Sequence, residues 1–215
     1  MLFALEECPE LVTDRFRKAA RASAWRFESS LLRKCYTGAM MYIALLRGIN
    51  VGGTNIIKMV DLRAALESAG FENVRTYIQS GNVVFDCKST KTGTLEKKIE
   101  KILEKEFGYK GFVVVISAST LEKIIKEAPN GFGSKPEKYR YDVIFLKAPM
   151  TSKKAIEDVP TREGVDEKYA GANVLYFSRL IKEAGKSQLS KIISLPVYKN
   201  MTIRNWNTTT TLLTL

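Results

Sequence analysis

Four short stretches of this chain carry side chains and backbone suited to holding an anion: Arg47 to Gly53 (RGINVGG), Tyr77 to Val83 (YIQSGNV), Gly185-Lys186-Ser187, and Arg204 to Asn207 (RNWN). In the first, Arg47 offers a planar fork of donors, and the loop offers backbone N–H groups. Its glycines, Gly48, Gly52 and Gly53, are spaced GxxxGG rather than in the GxGxxG dinucleotide pattern, and the same freedom serves an ordinary turn. Gly185-Lys186-Ser187 ends like a P-loop, but the position where a P-loop needs its first glycine is Leu180. What remains is a helix start at which Lys186 holds a phosphate or carboxylate, or at which Ser187 simply caps. Gln79, Ser80 and Asn82 fall at a hairpin tip. Turn chemistry accounts for Ser80 and Asn82 but not for Gln79. In the last stretch, Trp206 as a core anchor and Asn205 as a helix cap leave only Arg204 unexplained.

These readings define an expected site. Arg47, Lys186 and Arg204 neutralise a phosphate- or carboxylate-bearing ligand in a cleft between two subdomains, and Asn50, Gln79 and Asn82 orient it. Gly48, Gly52, Gly53, Tyr77, Ser80, Ser187 and Asn205 complete the candidate set. An enzyme acting on such a molecule, with Lys186 or Tyr77 carrying the proton, is the second reading. Weak nucleic-acid binding through a basic surface is the third.

Composition narrows the chemistry further. The chain contains no histidine, which removes a Ser-His-Asp triad, a Cys-His dyad and a histidine-ligated zinc site. Its three cysteines, Cys8, Cys35 and Cys87, are widely spaced, give no CxxC metal pattern, and suit free thiols in a reducing, cytoplasmic setting. No metal or cofactor is assigned. Without a histidine base, Cys87 is a poor candidate nucleophile. No apolar run reaches the roughly 18 to 20 residues of a membrane span. The formal charge of +11, from 34 basic and 23 acidic residues, favours anionic partners or simply solubilises the surface. Lys110 to Val115 echoes an RNA-stacking strand but lacks the second aromatic and falls on strand four.

The elements that must position these residues follow from periodicity. Residues 1–40 lack clean alternation and are expected to form an extension, helical over Leu11 to Lys34 or poorly ordered. From Met41 the pattern reads strand (Tyr42 to Leu46), helix (Met59, Leu62, Leu66, Ala69, stopped by Gly70), and a hairpin of Val74 to Ile78 and Val83 to Phe85 turning at Gly81-Asn82. A helix capped by Thr94 and ended by Gly108 follows, then a strand at Phe112 to Ile116. Ser119 and Glu122 predict a capping box on a connecting helix ended by Pro129. The order then repeats: strand Tyr141 to Leu146, short helix Thr151 to Asp158, and a hairpin of Val165 to Tyr169 and Val174 to Phe177 around Gly171. A helix opened by Gly185 carries Leu189, Ile192 and Ile193 to Pro196, and Tyr198 to Ile203 is the last strand. The expectation is an α+β protein of two tandem ferredoxin-like (βαββαβ) subdomains, 41–118 and 140–215, joined by a connecting helix and loop at 119–139 and closed by a C-terminal helix.

With these motifs in this order, the chain resembles the bacterial "domain of unknown function 1697" family, through RGINVGG, YIQSGNV, GKS and RNWNT. The resemblance implies a pair of ferredoxin-like subdomains and no assigned activity. Residues 1–40 lie outside it. Thr208 to Thr211 put four β-branched residues where such chains continue a better helix, which predicts fraying or altered packing there.

Overall fold

The computed structural model describes residues 39–215, so the expectations for the N-terminal segment, including Cys8 and Cys35, lie outside the described residues. The first strand starts slightly earlier than its pattern suggests. β1 (Ala39–Arg47) is followed by α1 (Met59–Ser68), β2 (Glu72–Tyr77), β3 (Asn82–Lys88), α2 (Thr92–Phe107), β4 (Phe112–Ser117) and α3 (Ala118–Lys126). The second half holds β5 (Tyr139–Leu146), α4 (Ser152–Asp158), β6 (Asp166–Ala170), β7 (Val174–Leu180), three 3₁₀ turns, β8 (Met201–Asn205) and α5 (Trp206–Thr211). Two four-stranded antiparallel sheets result, ordered β2-β3-β1-β4 and β6-β7-β5-β8. Among the described residues no helix is long and apolar enough to cross a membrane.

The central strands are apolar on both faces because both faces are covered. In β1, Tyr42, Ala44 and Leu46 join Leu62 and Leu66 of α1 and Leu95, Ile99 and Leu103 of α2 in one core. Ile43 and Leu45, on the opposite face, pack with Val143 and Phe145 of β5 and Val174 and Tyr176 of β7. The two sheets therefore lie face to face, and α3 contributes Leu121 and Ile124 to the shared layer. The outer face of the second sheet, with Ile144, Leu175 and Phe177, is covered by Ala155 of α4 and by Leu189, Ile192 and Val197 of the turns.

Several local expectations change. The helix expected from Gly185 is replaced by 3₁₀ turns at Ile181–Lys186, Leu189–Ser194 and Pro196–Asn200. Leu189 and Ile192 are buried three residues apart, the period of a 3₁₀ turn, whereas Ile193 is 65% exposed. Tyr198 belongs to the last of these turns, and the final strand starts at Met201. Thr94 lies inside α2, whose N-cap is Lys91 with no side-chain bond, and Gly108 ends that helix in the left-handed conformation as its spacing predicts. Ser117, not Ser119, caps α3 by accepting from the Thr120 N–H at 3.1 Å. The threonine-rich α5 is helical and capped by Asn205, and its Thr209 is buried. The hydroxyls of Thr209, Thr210 and Thr211 bond carbonyls three or four residues back.

The edge strand β4 is closed by side chains. Glu100 Oε1 accepts from the Val113 N–H and Glu96 Oε1 from the Val115 N–H, both at 3.1 Å, which removes two free donors from the sheet edge. Lys147, just past β5, reaches Glu100 at 2.5 Å and Glu96 at 3.7 Å, tying the second half to the first. Burial raises the Glu96 carboxyl above its ordinary value, against the opposing pull of the Val115 N–H and Lys147. Glu96→Leu, which strands the Val115 donor, is expected to cost about 1 to 3 kcal/mol in urea unfolding at pH 7, whereas Glu96→Gln, which keeps an acceptor, changes stability by less than about 1 kcal/mol. With its folded value raised, the stabilisation from Glu96 is full below the ordinary glutamate pKa of about 4.3 and is lost as pH rises through the elevated value, so Glu96→Gln flattens that part of the stability profile.

Candidate functional site

Alternation along β8 turns Met201 and Ile203 to the outer core and Arg204 toward the first sheet. Arg204 is 8% exposed and is surrounded by oxygen acceptors. Its Nε donates to Asn82 Oδ1 at 2.5 Å, Nη1 to Thr202 Oγ1 and the Ile203 carbonyl at 2.8 Å, and Nη2 to the Leu46 carbonyl at 2.5 Å. Longer bonds of 3.3 Å reach the Ser80 and Gly81 carbonyls. Among the described residues no carboxylate pairs with it, and burial pulls its pKa down to about 10, so it stays charged at neutral pH. Asn82, fully buried, also donates to the Tyr77 carbonyl and to Ser80 Oγ at 3.1 Å. Gly81 is required here because a Cβ would sit 2.8 Å from the Leu46 Cβ.

Arg47 is used in the same way. Its guanidinium lies 4.0 Å from the Phe112 ring centre and 4.6 Å from that of Tyr198, and its Nη1 donates to the Tyr198 carbonyl and, at 2.8 Å, to the Met201 carbonyl. Burial lowers its pKa from the ordinary arginine value. Phe112 is thereby packed against the Arg47 guanidinium, and Lys147 Nζ lies 5.0 Å from its ring centre.

The remaining sequence-based candidates divide. Asn50 is structural: its Nδ2 donates to the Ile57 and Gln79 carbonyls, its Oδ1 accepts from the Ile57 N–H, and it pins the glycine loop to the hairpin tip. The Gly48 carbonyl accepts from Asn55 Nδ2, and Gly52 and Gly53 sit at the exposed loop tip bridged by Val51 and Thr54. Tyr77 is half-buried against the inter-sheet core, and Gln79 is exposed. Lys186 pairs with Glu183 at 2.6 Å, and Ser187 is buried and accepts from the Leu189 N–H. Ser80, Asn82 and Arg204 thus come together in a clamp between the sheets, Arg47 makes a separate set of bonds to Tyr198 and Met201, and among the described residues no hydrogen bond or ion pair brings Lys186 to either. Cys87 is free and half-buried, and burial pushes its thiol up, away from nucleophilic reactivity.

An open cleft lies elsewhere. β5 pairs with β7 from Tyr139 onward but with β8 only from Asp142, where Asn205 stands opposite and the chain turns into α5. Tyr139, Arg140 and Tyr141 therefore border a notch of about 460 Å³, walled by Gly133 and Pro136, by Trp206 and Asn207, and by Ile181 and Ala184 of the first 3₁₀ turn. Asn205 closes one side: its Oδ1 caps Asn207 and its Nδ2 donates to the Tyr141 carbonyl at 3.1 Å. Arg140 and Arg179 lie directly across from each other on β5 and β7. Both face the buried Asp142, whose Oδ1 is 3.8 Å from Arg140 Nε and whose Oδ2 is 3.5 Å from Arg179 Nη2. Burial raises the Asp142 carboxyl, and Arg179 and Arg140 pull it back. Asp142 Oδ2 and Arg179 Nε are buried with no hydrogen-bond partner among the described residues. This end of the sheet is therefore polar and incompletely bonded: Arg140 and Arg179 stand beside Asp142, and Asp166 lies directly across from Arg179 on β6.

The fold and these features define an α+β protein of two face-packed antiparallel sheets locked by buried arginine and notched at one sheet edge. Residues 40–176 match the family described as "Protein of unknown function (DUF1697)", and the chain belongs to that family. It is also similar to the solved structure of the conserved bacterial protein SP0830 from Streptococcus pneumoniae, with 25% identity and a TM-score of 0.72 over 82% of this chain and 98% of that one. No curated protein matches the chain.

The notch arginines escaped the sequence reading because β5 was recognised by its apolar residues alone. The available signal was parity. Arg140 and Asp142 continue the face of Ile144 and Leu146, and Arg179 that of Leu175 and Phe177, so charges stand where the core pattern continues. Arg204→Met is expected to lower unfolding stability by about 3 kcal/mol or more, since it strands several buried carbonyls, and Arg204→Lys recovers only part of the loss. Arg140→Met, at an exposed ion pair, changes stability by less than about 1 kcal/mol, and urea denaturation of the three variants makes the comparison.

Proposed function

We propose that this protein binds a small anionic ligand, bearing phosphate or carboxylate, in the notch beside β8. The single observation that carries the reading is the pair of guanidinium groups, Arg140 and Arg179, sharing one buried carboxylate at the wall of an open cleft. Asp142 is buried and Arg179 mostly so, whereas the Arg140 side chain is 57% exposed, which makes Arg140 the guanidinium placed to meet a ligand. Among the residues first expected to bind, Arg47 and Arg204 have their donors committed to main-chain and amide oxygens, while Asn205 borders the notch. The formal charge of +11 supports attraction of an anion from a distance.

The frame for this site is a tandem pair of ferredoxin-like subdomains, 41–118 and 140–215, joined by 119–139, in a cytoplasmic protein. The shared strand order of the two sheets supports it, with the 3₁₀ turns standing in for the second helix of the later unit. In this reading the first subdomain is the scaffold and the second carries the ligand.

Titration calorimetry with inorganic phosphate, pyrophosphate and citrate tests the proposal. At least one binds saturably, and Arg140→Ala weakens it about tenfold or more, the loss of one charge-assisted hydrogen bond. Lys58→Ala, an exposed cation in the first unit, leaves the affinity unchanged. Equal losses from Arg140→Ala and Lys58→Ala mark diffuse surface attraction and contradict the reading.

A further inference from the structure

We infer that the ligand of the notch carries a planar aromatic ring in addition to its anionic group, as a nucleoside monophosphate or an aromatic carboxylate does. The inference rests on the anion-binding reading and specifies it. A notch of about 460 Å³ is of the size that holds a whole small organic ligand, whereas a bare oxyanion fills only one corner of it. The charged groups occupy one side, at Arg140 and Arg179. Around the uncovered edge of β5, on its other face, Tyr139, Tyr141, Trp206 and Pro136 supply ring and apolar surface, with the amides of Asn205 and Asn207 among them.

These rings are held before any ligand arrives. Phe132 meets Trp206 edge-on, with centroids 5.1 Å apart at 89°, and meets Tyr141 at 4.8 Å and 66°. Gly133 lies so close to the indole that a Cβ there would overlap Trp206 Nε1, and Asn205 fixes the turn from which Trp206 departs. Tyr139 leans on Tyr141 at 6.1 Å. A fixed aromatic wall loses little rotamer entropy on binding, and it accepts a flat ring by stacking while the guanidinium groups hold the charge.

The test is calorimetry on the full chain at one ionic strength with matched pairs: adenosine monophosphate against ribose 5-phosphate, and phenylpyruvate against pyruvate. In at least one pair the ring-bearing anion binds about tenfold tighter, the usual contribution of one ring stacked on aromatic side chains. The pair that shows the difference separates nucleotide from aromatic acid. Tyr139→Leu and Trp206→Leu reduce that advantage and leave ring-free binding unchanged. Should Trp206→Leu fail to fold, saturable quenching of Trp206 emission by the ring-bearing anion in a W25F background supports the inference independently. Equal binding within both pairs overturns the inference and leaves the anion reading standing. Binding of adenosine as tight as that of its monophosphate overturns the anion requirement, and binding by none of these anions overturns both.

Discussion

The buried guanidinium of Arg204 is the constraint on which the arrangement of the two sheets depends. An ion without a counter-charge is costly in a low-dielectric interior, and it persists only where its donors are fully bonded. Here the partners are the Leu46, Ser80, Gly81 and Ile203 carbonyls, Thr202 Oγ1 and Asn82 Oδ1. Four of these six belong to the first sheet and its hairpin, so β8 has one seat against β1 in which the charge is satisfied. The apolar layer of Ile43, Leu45, Val84, Val143 and Phe145 supplies attraction between the sheets but little direction. The arginine supplies the direction, and Arg47, bonding back to Tyr198 and Met201, repeats the lock from the other side.

The same constraint opens the notch. Because β8 is held where Arg204 meets the first sheet, it ends opposite Asp142, and Asn205 and Trp206 begin α5 there. β5 runs three residues further toward its N-terminus, leaving Tyr139 to Tyr141 uncovered on one side. At that end of the sheet the Arg140 side chain is exposed, with the buried Asp142 and the mostly buried Arg179 behind it. The arginines that lock the sheets and those at the notch are therefore different groups of residues linked by one strand, and the proposed ligand site belongs to the second group.

Much of the fold was legible because its signals are local. The run Tyr42 to Leu46 reads as a strand buried on both faces and Gly108 as a helix stop, and both occur where their chemistry demands; the Gly81-Asn82 signal marks the hairpin, but its turn spans residues 78–81 and Asn82 opens β3, paired with Tyr77. Of the glycine and amide motifs, the hairpin tip at Ser80 and Asn82 meets Arg204, while Arg47 bonds elsewhere, to Tyr198 and Met201. Their purpose was not legible, because a sequence does not say whether a convergent guanidinium faces solvent or a ring of carbonyls. Between Gly185 and Pro196, Leu189, Ile192 and Ile193 fit the 3.6 period of a helix, and only the exposure of Ile193 selects the tighter 3₁₀ turn. The Arg140, Asp142 and Arg179 group was invisible to a search for motifs, since only strand pairing makes neighbours of residues 140 and 179.

The central claim, that the inward arginines are structural and the notch arginines bind, is tested most directly by following the arginine side-chain Nε–Hε resonances during titration with phenyl phosphate. The account predicts saturable shifts at Arg140 and Arg179, while Arg204 and Arg47, held on main-chain carbonyls, stay in place. Saturable shifts at Arg47 and Arg204 with Arg140 and Arg179 unmoved would contradict it.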